Sequence, residues 1–144
     1  MKFCLSVEIQ EGLDYAVTQA FTQAGEAAGF DAGLLAEHYY ASSGHLHRIA
    51  ADAWVFLGAL ARDTQHIRLG TLVSPVTFRH PAVLAKMAAT LDHLSGGRAE
   101  LGLGADCPLG LSAPPMRPWV MARRGRARMR CRGRGLGEPQ GPGQ

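Results

Sequence analysis

Apolar positions in the first hundred residues alternate between two periods. Short, nearly continuous apolar runs give way to stretches where apolar residues recur every three or four positions. Residues 3–7 form such a run and read as a buried strand. From Leu13 the spacing changes: Leu13, Ala16, Val17, Ala20, Phe21, Ala24 and Ala28 mark one face of a helix. Gly29 supplies its stop, since glycine readily takes the left-handed conformation that closes helices. The cycle then repeats. Residues 32–38 read as a second strand, and Ala50, Ala53, Trp54, Leu57, Leu60 and Ala61 as a helical stripe ending near Asp63-Thr64. Residues 67–73 read as a third strand, where Leu69, Leu72 and Val73 give the apolar character of burial on both faces. Pro81 suits the first turn of a helix, where its missing N–H is not needed. Val83, Leu84, Met87, Leu91 and Leu94 continue that helix to Ser95-Gly96-Gly97, and residues 98–104 form a fourth strand.

Strands alternating with helices imply an α/β fold with a parallel sheet and right-handed crossovers. A dinucleotide-binding sheet should carry three spaced glycines directly after its first strand. Here that position reads Glu8-Ile9-Gln10-Glu11-Gly12, and the other candidate, Gly102-Leu103-Gly104, lacks the third glycine because Cys107 stands there. The closed alternative is a TIM (β/α)8 barrel, which takes about 250 residues and eight units. Four β/α units within residues 1–105 make the N-terminal half of one.

Composition changes at that boundary. Residues 106–144 hold 8 Arg, 7 Gly and 6 Pro with 2 acids, a local charge of +6 against +3 for the whole chain. The basic balance therefore belongs to a tail. Few large apolar residues occur there, so it is expected to be a disordered low-complexity segment, with incidental helix around residues 119–130. An Arg-rich tail binds phosphates by charge alone. The aromatic interleaving of RNA-binding tails is absent, however, and that argues against a nucleic-acid partner. A GC-rich coding sequence read out of frame yields the same composition, and that is the reading preferred for residues 106–144. The three cysteines, Cys4, Cys107 and Cys131, show no metal-like spacing. With no signal-like or membrane-spanning apolar run, a cytoplasmic protein without a membrane partner is expected.

In β/α barrels reactive residues sit at the C-terminal ends of the strands. The second strand ends in Glu37-His38-Tyr39-Tyr40, followed by His45 and His47. The third ends in Thr71-Leu72-Val73-Ser74-Pro75 before Arg79-His80-Pro81, and the fourth in Gly102-Leu103-Gly104. His38 fits either a core histidine bonded to a carbonyl or a functional one. A buried Glu37 requires a partner, such as Arg79 or a histidine, because an unpaired buried carboxylate is costly. Gly102 and Gly104 either ease packing or let a flat ligand approach the backbone. Ser74-Pro75 reads as a simple turn. The histidine spacing matches no strong zinc signature, and no metal is assigned.

Several motifs in order and spacing carry a resemblance. Glu26-Ala27-Ala28-Gly29-Phe30-Asp31, Ala36-Glu37-His38-Tyr39, Ile67-Arg68-Leu69-Gly70-Thr71, His80-Pro81-Ala82-Val83-Leu84-Ala85-Lys86 and Leu94-Ser95-Gly96-Gly97-Arg98 through Gly104 are such motifs. Together they resemble the bacterial luciferase-like flavin enzymes, above all the branch that uses the deazaflavin coenzyme F-420. The resemblance implies a TIM-barrel oxidoreductase or monooxygenase acting on a small-molecule substrate with F-420 or FMN. Glu37 and His38 match the family's catalytic acidic residue–histidine pair, with His38 as acid/base. Leu72 and Val73 match the site of a non-proline cis peptide beneath the flavin ring, and Gly104 is a further cofactor contact. After Gly104 the family pattern stops, which makes this chain a truncated and inactive form on that reading. The alternatives are a half barrel that associates with itself and a nucleic-acid-binding protein using the tail.

Overall fold

The computed structural model describes residues 1–104, apart from 42, 44 and 46, together with the backbone of residues 120–122. The element order is β1 (Cys4–Val7), a short 3-10 turn (Ile9–Glu11), α1 (Tyr15–Ala27), β2 (Ala32–Leu35), α2 (Ala53–Asp63), β3 (Arg68–Pro75), α3 (Pro81–Leu94), β4 (Ala99–Gly104) and β5 (Val120–Ala122). The strands lie in the order β1-β2-β3-β4-β5, the first four parallel. That order selects between the two closures. In the common doubly wound sheets the strand order reverses partway along, whereas a β/α barrel adds each strand beside its predecessor. The observed sheet does the latter.

Local chemistry explains each boundary. Asp14 caps α1 by accepting the Val17 N–H at 2.8 Å, and Asp52 caps α2 by accepting from Trp54 and Val55 at 2.8 and 3.0 Å. At α3 the cap is His80, whose Nδ1 accepts the Ala82 N–H at 3.2 Å ahead of Pro81. Gly29, Gly96 and Gly97 all have positive φ, so the predicted stops after α1 and α3 are where glycine is required.

The α2 stripe packs as its spacing implies. Ala53, Trp54, Leu57, Leu60 and Ala61 are buried, joined by Leu35, Ile67, Leu69, Leu84 and Leu91 in one core between helices and sheet. Helix α1 behaves differently. Its apolar stripe faces out, with Val17 39% and Phe21 54% exposed, while Thr18, Thr22 and Gly25 pack on the sheet. Close approach decides this. A Cβ at Gly25 would stand 3.1 Å from the Leu5 side chain, and one at Gly33 would stand 3.2 Å from Thr22. The Thr18 and Thr22 hydroxyls donate to the Asp14 and Thr18 carbonyls at 2.8 Å, so their burial leaves no donor unpaired.

Two further expectations change. The second strand stops at Leu35, not at residue 38, although Ala36 still donates to the Val7 carbonyl at 3.1 Å. Glu37 then leaves the ladder for side-chain partners described below. In the tail, helix was expected around residues 119–130. Val120–Ala122 instead pairs antiparallel with β4, Leu103 opposite Val120 and Leu101 opposite Ala122. The outer edge of β4 presents backbone donors and acceptors that any extended segment can satisfy, whatever its side chains. Disorder was expected throughout residues 106–144, most of which lie outside the described residues.

Candidate active site

The C-terminal ends of β2, β3 and β4 meet around one buried carboxylate. Glu37 is 6% exposed. Its Oε1 accepts from Arg79 Nη2, and its Oε2 accepts from the Ser74 hydroxyl and, at 3.2 Å, from the Trp54 indole N–H. The same indole lies 3.1 Å from Ser74 Oγ, which lies 3.0 Å from Thr71 Oγ1. Thr71 in turn donates to the Gly102 carbonyl at 3.3 Å. The sequence requirement of a partner for Glu37 is thus met by Arg79. Pairing with Glu37 raises the Arg79 guanidinium above its ordinary value, against the opposing effect of its own burial.

This cluster surrounds an irregular stretch of β3. Thr71 pairs with Leu101 and Ser74 with Leu103, so three steps along β3 match two along β4. The extra residue is a β-bulge. In a regular strand Thr71 and Ser74 would face opposite sides, because side chains alternate. The bulge turns both toward α2. Between them the Leu72–Val73 peptide is cis, at the position the resemblance implied. Leu72 and Val73 have no register partner in β4 and are both half-buried.

The remaining predicted residues fall around this centre. His38 is half-buried and follows Glu37 out of β2. Tyr39 stacks on Phe78 with ring centroids 4.1 Å apart and planes at 17°, joining the loops that follow β2 and β3. At Gly104 an added Cβ would stand 2.4 Å from Val73 Cγ2, and at Gly102 2.2 Å from the Thr71 carbonyl oxygen. Packing against the bulge therefore accounts for both glycines. His45 and His47 are exposed with ring centroids 5.6 Å apart. Among the described residues no three His, Cys, Asp or Glu side chains gather closely enough to hold a metal ion.

Sequence reasoning missed Ser74, Thr71 and Trp54. Ser74-Pro75 is the buried end of β3, not a simple turn. The available signal was two hydroxyl residues three apart at the end of an apolar strand, a spacing that a regular strand cannot place on one face.

Parallel strands added in sequence, with buried polar groups gathered at their C-terminal ends, define a segment of a β/α-barrel enzyme. The profile of the luciferase-like monooxygenase family matches residues 1–108, and the chain belongs to that family. An F420-dependent glucose-6-phosphate dehydrogenase of Beutenbergia cavernae is 39% identical over 104 residues, covering 66% of this chain and 30% of the dehydrogenase. Among solved structures, the coenzyme F420-dependent tetrahydromethanopterin reductase of Methanopyrus kandleri superposes with a TM-score of 0.64 at 25% identity, over 74% of this chain and 27% of the reductase. The FMN-bound oxygenating constituent of 3,6-diketocamphane monooxygenase from Pseudomonas putida shares the fold at a TM-score of 0.59 and 21% identity, over 74% of this chain and 31% of that one. The fold is accordingly part of a TIM barrel, and the chain spans under a third of the length of these relatives.

Proposed function

We propose that residues 1–104 form one side of the mouth of a luciferase-like oxidoreductase that works with deazaflavin F-420 or FMN on a small-molecule substrate. The observation that carries this reading is the bulge at Leu72 and Val73, lying beside the Glu37–His38 end of β2 at the C-terminal side of the sheet. Two half-buried apolar residues without ladder partners fit a flat ring system, which would rest on them with Gly104 behind Val73. The bound cofactor would supply hydride transfer or reaction with oxygen, while the protein supplies position and electrostatics.

His38 is the residue proposed to move a proton. Glu37 turns toward Trp54, and His38 follows it half-buried beyond the end of β2. An imidazole at this position is suited to acid/base work near neutral pH. The rest of the mouth has to come from the later strands of a barrel. On this reading the chain by itself binds cofactor weakly and does not turn over substrate.

The test uses a full-length relative that binds cofactor. Changing its histidine at the position of His38 to Ala should lower kcat by at least about a hundredfold, with a much smaller change in cofactor affinity. Equal losses in both would remove the acid/base role. A soluble monomer of this chain that turned over a substrate with flavin or deazaflavin would refute the second half of the proposal.

A further inference from the structure

We infer that Glu37 is a positioning residue, whose carboxylate pins the bulged Thr71–Ser74 segment of β3 and takes no part in proton transfer itself. The inference rests on the proposed function only for what the bulge would carry.

Both oxygens of Glu37 are engaged by donors from three different elements. Arg79 comes from the loop before α3, Trp54 from the first turn of α2, and Ser74 from the far side of the bulge. A carboxylate so enclosed, 6% exposed and turned toward the helices, presents no oxygen to a ligand at the mouth. Its partners, by contrast, are placed where they control the bulge. Ser74 and Thr71 flank the Leu72–Val73 peptide on either side and touch each other at 3.0 Å. Thr71 carries the chain of contacts on to the Gly102 carbonyl of β4, and Val76 closes the far end by donating to the Gly104 carbonyl at 2.9 Å. Leu72 and Val73, lacking ladder partners, depend on these flanking anchors for their position.

An isolated buried carboxylate would be costly, and a bulge without anchors would fray. Each feature supplies what the other lacks. The stacked Tyr39–Phe78 pair ties together the loops that carry Glu37 and Arg79. Of the adjacent pair Glu37-His38, Glu37 thus fixes the shelf.

The experiment uses the whole chain carrying Trp119→Phe, so that Trp54 gives the one indole N–H resonance. Glu37→Gln should speed amide exchange between Leu72 and Val76 by about tenfold or more, while α1 and β1 amides stay within about twofold. Ser74→Ala, a milder change, should speed the same amides about threefold, and both variants should move the Trp54 indole resonance. If Glu37→Gln fails to fold, Ser74→Ala decides. Unchanged exchange at the bulge in both variants would overturn the inference, as would an equal rise along the whole chain in Ser74→Ala. Failure of the proposed function would look different: equal losses of kcat and cofactor affinity in the histidine-to-Ala variant of the full-length relative, with the exchange pattern in this chain as expected.

Discussion

Replacing Arg98 by Ala should be among the most damaging single changes in this chain, because one guanidinium closes three segments at once. Nε donates to the Ser95 carbonyl at 2.8 Å, and Nη1 to Thr64 Oγ1 and the Ile67 carbonyl at 2.9 and 2.7 Å. Nη2 donates to the Ala61 and Thr64 carbonyls at 2.9 and 3.0 Å. These acceptors lie in the last turn of α2, the approach to β3 and the end of α3. A cation at a helix C-terminus is also attracted by the negative end of the helix dipole. Burial lowers the Arg98 guanidinium from its ordinary value, with Glu26 opposing the shift, so desolvation offsets part of the gain. Hydrogen bonds from a charged donor contribute about 1.5–3 kcal/mol each, but they share one partly buried guanidinium, whose desolvation cost is recovered when the side chain is removed. A net loss of about 2–4 kcal/mol follows, a large part of the ~5–15 kcal/mol that stabilises a typical domain. With urea m-values of about 1–3 kcal/mol/M, the far-UV CD midpoint should fall by about 1–2 M. Arg98→Lys keeps the charge but cannot reproduce the planar fork, so it should retain only part of the stability. A shift below about 0.5 kcal/mol in Arg98→Ala, or equal losses in both variants, would refute the reasoning.

Three further outcomes are expected. Gly102→Ala should destabilise by about 2–4 kcal/mol and Gly104→Ala by less, since the first meets the Thr71 carbonyl at 2.2 Å and the second a valine methyl at 2.4 Å, as urea midpoints would show. Glu26 is half-buried, which raises its carboxyl, but the backbone N–H groups of His66, Ile67 and Gln65 outweigh this and hold it below its ordinary 4.5. Its stabilising effect should be present above pH 4.5 and lost as pH falls through the lowered value, so wild type and Glu26→Gln should converge in acid unfolding curves. Proline at both Val120 and Met121 removes at least one ladder donor whichever phase β5 adopts, and should speed amide exchange at Leu101 and Leu103 with no effect in α1.

The order of strands and helices was legible because it depends on local periods and punctuation. The α2 stripe, the Pro81 start and the stops at Gly29 and Ser95-Gly96-Gly97 each follow from the preferences of a few neighbouring residues, and the structure reproduces them. The need of Glu37 for a cationic partner was legible too, since desolvating a lone carboxylate is unfavourable in any fold. What only the tertiary structure decided involves groups far apart in sequence. Helix α1 turns its threonines and Gly25 to the sheet because Leu5 and Gly33 leave room for nothing larger, and periodicity alone pointed to its apolar stripe. Ser74 became an anchor only because a bulge of one residue, defined by pairing with β4, rotated it onto the face of Thr71. Likewise, the sequential strand order, which separates a barrel from a doubly wound sheet, is a property of hydrogen-bonded neighbours. A one-dimensional pattern fixes which face a residue can share with its near neighbours. It carries no term for the space that a distant strand leaves open, and here that space chose the buried face of α1 and gathered the polar cluster at the mouth.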